Sequence, residues 1–231
     1  MRLTLRVLSA LLRYPDEGLV AAAPDFALAL TRDGVLDPAQ QAPLAPLIAD
    51  LAALDLLDLQ ERYVALFDRG RAVSLHLFEH VHGESRDRGQ AMVDLRSRYE
   101  ALGLEITANE LPDYLPLFLE YLSCLPANRV LEELAQPGVI LAALADRLTE
   151  RDAGYAAPMR ILADLAGAGG VELAITPVDD PDDLAALDAA WAEEQVRFDG
   201  PTVPDSETCP QAVATVARFQ ASNPARNEAH G

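Results

Sequence analysis

Apolar residues recur every three or four positions along most of residues 2–166, a spacing that places them on one face of an α-helix. Proline, glycine and aspartate interrupt this pattern at intervals typical of helix ends. The pattern predicts about nine or ten helices, and residues 171–178 are the one short candidate for a strand. We therefore predict an all-α protein, with a single compact multi-helix bundle over residues 1–170.

The sequence predicts where two helices near the middle of the chain begin and end. Residues 75–82 are predicted to form a short helix that is closed by Gly83. Asn109 is expected to cap a later helix, which would carry Pro112 in its first turn and run to about residue 122.

The composition changes after Gly170. Between Val171 and Glu207 there are 11 acidic residues and one basic residue, Arg197. The end of the chain is polar and poor in apolar anchors. We predict that residues 171–231 form an acidic C-terminal segment outside the bundle, partly extended and partly disordered.

The charge of the chain limits what it can bind. The formal net charge is −19, and all 18 basic residues are arginines. Such a chain repels nucleic acid and favours basic partners. The lack of lysine excludes a Walker A phosphate loop, a Schiff-base enzyme and a lysine general base. With two distant cysteines, no signal peptide and no apolar run long enough for membrane insertion, we expect a soluble cytoplasmic protein.

The sequence His76-Leu-Phe-Glu79-His80 matches the H-x-x-E-H pattern of zinc peptidases. On a helix the two histidines would lie one turn apart with Glu79 beside them, which can hold zinc, and His82 would add a possible ligand. A five-residue match without a large α/β scaffold is also typical of an ordinary helix with surface histidines. We predict no metal, no cofactor and no catalysis, and a zinc hydrolase is the alternative from a different class.

The segment Glu110–Leu122 carries two apolar stripes with carboxylates at their margins. One stripe can face the core while the other lines a groove against the helix that contains residues 58–67. An acidic, apolar groove suits an amphipathic basic helix. A helix that is buried on both faces explains the pattern equally well. The candidate peptide-binding residues are Leu66, Phe67, Glu110, Asp113, Tyr114, Leu117, Glu120 and Tyr121.

Four segments of the chain carry a family resemblance: Leu11-Leu-Arg-Tyr-Pro-Asp16, Tyr63-Val-Ala-Leu-Phe-Asp-Arg-Gly-Arg71, Ser74-Leu-His-Leu-Phe-Glu-His-Val-His-Gly-Glu-Ser-Arg-Asp-Arg-Gly-Gln90 and Glu110-Leu-Pro-Asp-Tyr-Leu-Pro-Leu-Phe-Leu-Glu-Tyr-Leu122. With them, residues 56–125 resemble the central block of the NarJ family, which belongs to the wider TorD/DmsD group of chaperones for molybdenum enzymes.

The resemblance implies a TorD-like fold and a cytoplasmic chaperone of respiratory nitrate reductase. Such a chaperone would bind the N-terminus of the catalytic (alpha) subunit and hold the apoenzyme for molybdenum cofactor insertion before membrane attachment. Molybdenum cofactor biosynthesis proteins are further implied partners. The wider group uses a proline–aspartate–histidine sequence to bind twin-arginine leaders, and the matching residues here are Pro112-Asp113-Tyr114. A chaperone for another molybdenum oxidoreductase with such a leader is the alternative.

Overall fold

In the computed structural model, residues 1–68, 71–82, 86–107 and 110–169 are described, and they contain twelve α-helices and no strand. The all-α prediction is therefore confirmed, whereas the predicted acidic segment lies outside the described residues. None of the described helices is both long and apolar enough to cross a membrane. The helices are α1 (Arg2–Leu11), α2 (Glu17–Ala22), α3 (Phe26–Asp33), α4 (Pro38–Gln41), α5 (Ala45–Ala53), α6 (Leu56–Phe67), α7 (Glu79–His82), α8 (Arg86–Ala101), α9 (Leu115–Leu122), α10 (Ala127–Ala135), α11 (Gly138–Arg151) and α12 (Ala153–Leu165).

The core is built around α1, which packs against α3 and α9. Leu8, Leu11 and Leu12 of the first segment are buried, as their spacing predicts. Helices α11 and α12 pack along each other and close another side of the core. Helix α8 is different, because among its described side chains the large buried ones are those of Leu95 and Tyr99 alone. It is therefore attached to the core by a narrow contact.

Aspartates fix the starts of four helices. Asp16, Asp37, Asp55 and Asp152 precede α2, α4, α6 and α12, and each side chain accepts a hydrogen bond from a backbone N–H of the first turn. These N–H groups have no partner within the helix. An N-cap of this kind contributes about 0.5–2 kcal/mol. Local sequence thus determines where these helices begin.

The predicted helix over residues 75–82 is wrong in its first half, since α7 begins only at Glu79. His76 instead forms an antiparallel bridge with Tyr114. The backbone N–H of Leu77 donates to the carbonyl of Asp113 at 3.1 Å. A backbone group paired across the chain is not available for a helix, and this non-local pairing prevails over the local pattern.

The predicted start of the later helix is also wrong. Helix α9 begins at Leu115 with Tyr114 as its N-cap, and Pro112 lies before it. Pro116, which the pattern placed inside the helix, occupies the first turn. Proline is well tolerated there because its missing N–H would have no helical partner. The predicted cap, Asn109, lies outside the described residues.

Candidate functional site

An aromatic cluster extends from the surface into the core beside the start of α9. Tyr14 is 46% exposed and meets Tyr63 edge to face, with ring centroids 5.6 Å apart. Tyr63 lies 4.7 Å from Phe67, and Phe67 lies 5.2 Å from Tyr155, again edge to face. Such contacts are each worth about 0.5–1.5 kcal/mol beyond the area that they bury. The cluster gives the surface a rigid aromatic base.

Tyr114 is the half-buried end of this cluster. Its hydroxyl lies 3.1 Å from that of Tyr63, and the Tyr63 hydroxyl donates to the carbonyl of Leu12 at 3.0 Å. A phenol has one proton, so Tyr114 is the donor to Tyr63. On its other side the Tyr114 ring faces His76, with centroids 5.5 Å apart. The ring is thereby fixed while part of it stays open to solvent.

Charged side chains lie near this ring. Burial raises the pKa of the Tyr114 hydroxyl, and the charges of Glu110 and Asp68 raise it further, whereas the Tyr63 hydrogen bond and the charge of Arg13 lower it. Both acids are exposed, and Leu111 is 46% exposed. We use "the Tyr114 surface" for the exposed parts of Tyr14, Asp68, Glu110, Leu111 and Tyr114. It combines apolar rings with negative charge.

Asp113 does not belong to this surface, although the sequence placed it on an acidic rim. Its side chain is fully buried. One oxygen accepts the N–H of Phe78 at 3.0 Å, and the other lies 3.3 Å from Nδ1 of His76. The bond to Asp113 raises the pKa of His76 above its ordinary value of 6.5. The contribution of the His76–Asp113 pair to the free energy of unfolding is therefore fully present below about pH 6.5. It is lost as the pH rises through the raised pKa of His76.

The remaining predicted residues lie elsewhere. Leu117, Glu120 and Tyr121 line a cavity of about 250 Å³ together with Arg2 and Arg6 of α1. The predicted groove therefore does not form one surface, and three of its eight residues, Phe67, Asp113 and Tyr121, are buried. Leu66 is half-buried.

The residues of the H-x-x-E-H sequence, His76, Glu79 and His80, do not come together at one site. His76 lies before α7 rather than on it, so it does not sit one helical turn from His80. Glu79 accepts a hydrogen bond from Arg88 at 3.2 Å. His80 donates from Nε2 to the carbonyl of Ser74 at 2.9 Å, and burial lowers its pKa. Among the described residues there is no group of three potential ligands that could hold a metal ion.

We expect incubation with EDTA to leave the thermal melting temperature of the protein unchanged, because His76, Glu79 and His80 each bind a protein partner. Differential scanning calorimetry before and after chelation is the measurement. Zinc added to untreated protein is the control. A melting temperature that falls with EDTA and recovers with zinc would contradict the expectation and make His82 a candidate ligand.

Tyr14 and Tyr63 were missed as site residues by sequence reasoning. Tyr63 lies at a core-facing position of a helical pattern, and Tyr14 precedes Pro15, so neither local pattern indicates a binding residue. Their shared environment with Tyr114 arises from contacts between distant segments. The one signal that could have identified them is that four tyrosines, Tyr14, Tyr63, Tyr114 and Tyr121, lie in the segments that carry the family resemblance.

Comparison with known proteins gives a consistent picture. The family model "Nitrate reductase delta subunit" matches residues 33–160. The nitrate reductase molybdenum cofactor assembly chaperone NarJ of Escherichia coli K12 is 45% identical over 196 residues, 83% of each chain. The probable assembly chaperone NarW of the same organism is 44% identical over 212 residues, 87% of each chain. The probable NarJ of Bacillus subtilis is 31% identical over 161 residues, 70% of this chain and 86% of its own.

Proposed function

The chain belongs to the nitrate reductase delta subunit family, and we propose that it is a non-catalytic assembly chaperone of respiratory nitrate reductase. It binds the N-terminal segment of the catalytic (alpha) subunit and holds the apoenzyme for molybdenum cofactor insertion before membrane attachment. It acts in the cytoplasm, where molybdenum cofactor biosynthesis proteins are further partners. The names of its relatives support the client, and the Tyr114 surface supports the mode of binding.

The observation that carries the mode of binding is a fixed, half-buried tyrosine with two carboxylates, Glu110 and Asp68, nearby. Tyr114 is held from behind by Tyr63 and from one side by His76. An amphipathic helix can place its apolar side on these rings while its basic side chains meet Glu110 and Asp68. Arginine or lysine can also lie over an aromatic ring, which adds about 0.5–1 kcal/mol at an exposed site. Rigid aromatic anchors are where binding energy concentrates in interfaces.

The experiment that tests the proposal is a calorimetric titration of the client's N-terminal peptide into the purified protein. We expect saturable binding at one site. A peptide of the same composition in scrambled order is the control, because it keeps the charge but loses the amphipathic face. Equal binding of both peptides would reduce the effect to charge attraction. Tighter binding of a twin-arginine leader from another molybdenum oxidoreductase would favour the alternative client.

The carboxylates of the Tyr114 surface should contribute moderately and in a salt-dependent way. Glu110→Gln is expected to weaken peptide binding by about two- to fivefold at low ionic strength, because an exposed charge pair is worth about 0.2–1 kcal/mol. The loss should shrink as salt rises, because salt screens exposed charges. Glu120→Gln is the matched control, since Glu120 is also exposed but lines the cavity beside α1. An equal loss in both variants would show that only net charge matters.

A further inference from the structure

The segment of residues 74–78, which we call the strap, is tied to the start of α9 by its backbone. The N–H of Leu115 donates to the carbonyl of Leu75 at 2.8 Å, and the N–H of Leu77 donates to the carbonyl of Asp113 at 3.1 Å. These two bonds form the antiparallel bridge between His76 and Tyr114. The strap thus lies directly against the residue that we place at the centre of the client-binding surface.

The strap also separates two environments. The ring of His76 faces Tyr114. The next side chains, Leu77 and Phe78, line a cavity of about 310 Å³, together with Leu95 of α8 and other apolar residues. A shift of the strap would therefore move both the support of the Tyr114 ring and the wall of this cavity.

The side chain of Asp113 adds further contacts to the strap, beyond the two backbone hydrogen bonds. It is fully buried, and both of its oxygens already have protein partners, the N–H of Phe78 and the ring of His76. A buried carboxyl group is costly unless its oxygens are hydrogen-bonded, so these two contacts stabilise the side chain in this position. A group in this position is not available to the basic side chains of a partner.

We propose that Asp113 is a positioning residue, which fixes the strap against the start of α9 and so sets the Tyr114 ring without touching the client. Tyr114 follows Asp113 in the chain, and its ring leans on His76, the residue that Asp113 binds. The proposal rests on the proposed function only for what the positioned surface binds. It reverses the role that the sequence assigned to Asp113 as a charge on the rim of the groove.

The first test measures positioning without any client, by amide hydrogen exchange and by NMR titration of the histidines. Asp113→Ala should speed exchange of the Phe78 amide by about tenfold or more, because a hydrogen bond to a charged acceptor is lost. Asp113→Asn should keep this protection, because its side-chain oxygen can still accept that N–H. In Asp113→Asn the pKa of His76 should fall, since the charge is gone, while His80 should change less. The proposal would be overturned if the Phe78 amide exchanged at the wild-type rate in Asp113→Ala and the pKa of His76 were unchanged in Asp113→Asn.

The second test compares peptide affinity in the same two variants with that of Glu110→Gln. Asp113→Ala is expected to lose about fivefold, by the same amount at low and high salt, because it acts through the position of Tyr114. Asp113→Asn should bind within about twofold of the wild type, because geometry is kept. An equal loss in Asp113→Asn and Asp113→Ala that shrinks with salt would show direct contact with the client and overturn the proposal. If the wild type binds no peptide, the proposed function fails, and the exchange and histidine measurements still decide the role of Asp113.

Discussion

Replacing Asp152 by alanine is expected to lower the free energy of unfolding by about 2–4 kcal/mol, since it removes an N-cap and one partner of a partly buried ion pair. Asp152 caps α12 through the N–H of Gly154 at 3.0 Å. It also accepts two hydrogen bonds from Arg62, at 2.6 and 2.8 Å. The Arg62 guanidinium also pairs with Asp50 of α5 at 2.7 Å, and its central carbon lies 5.5 Å from the ring centre of Tyr155. Three helices meet at this guanidinium, and urea denaturation measures the loss.

Asp146→Ala is the matched control. Asp146 likewise forms an ion pair with an arginine. Its partner is Arg160 of α12, at 3.1 Å, and both side chains are more than half exposed. An exposed pair of this kind contributes about 0–1 kcal/mol. A similar loss in Asp146→Ala and Asp152→Ala would contradict the importance given to burial and capping.

The effect of Asp152 should depend on pH in one direction. Burial raises the pKa of its carboxyl, but the hydrogen bonds and the charge of Arg62, together with the backbone N–H groups of Gly154 and Tyr155, lower it by more, so the pKa lies below its ordinary value of 3.8. A lowered pKa means that the contribution to stability is present above about pH 4 and is lost as the pH falls through the folded-state value. The difference between wild type and Asp152→Ala should therefore narrow in acid. A difference that grows as the pH falls would refute this assignment.

Replacing Tyr114 by alanine is expected to weaken binding of the client's N-terminal peptide by about 10- to 100-fold, because burying an aromatic anchor is worth about 1.5–3 kcal/mol. The ring is already fixed by Tyr63 and His76, so little ordering entropy is lost when the peptide binds. Calorimetric titration gives the affinity, and circular dichroism with a thermal melt checks that the variant is folded.

Two further variants separate the contribution of the Tyr114 ring from that of its hydroxyl and from that of the rest of α9. Tyr114→Phe keeps the ring but loses the bond to the Tyr63 hydroxyl, and it should bind within about threefold of the wild type. Leu117 lies one turn further along, in the cavity beside Arg2 and Arg6, so Leu117→Ala should leave affinity unchanged. A folded Tyr114→Ala that binds like the wild type, or a larger loss in Leu117→Ala, would move the binding site to that cavity.

Helix α6 shows how well local sequence predicts a local element. Its leucine and aromatic spacing is typical of a helix with Leu59 and Tyr63 on one face, and the structure buries both. Asp55 caps it because an aspartate can satisfy the free N–H groups of the first turn. Segment 74–82 shows the opposite case. Its apolar spacing also indicated a helix, but its first half pairs with the chain before α9, which no local pattern reveals.

The sequence alone determined the all-α class, many helix starts, the negative charge and, through the family resemblance, the class of function. These follow from neighbours in the chain and from composition, which are local or summed properties. Only the tertiary structure decided that Asp113 is buried, that His76 lies outside α7, and that Tyr63 contacts both Tyr14 and Tyr114. The physical reason is that burial and pairing depend on segments that are far apart in sequence. Helical periodicity reports which face is apolar, but not which distant residue covers it.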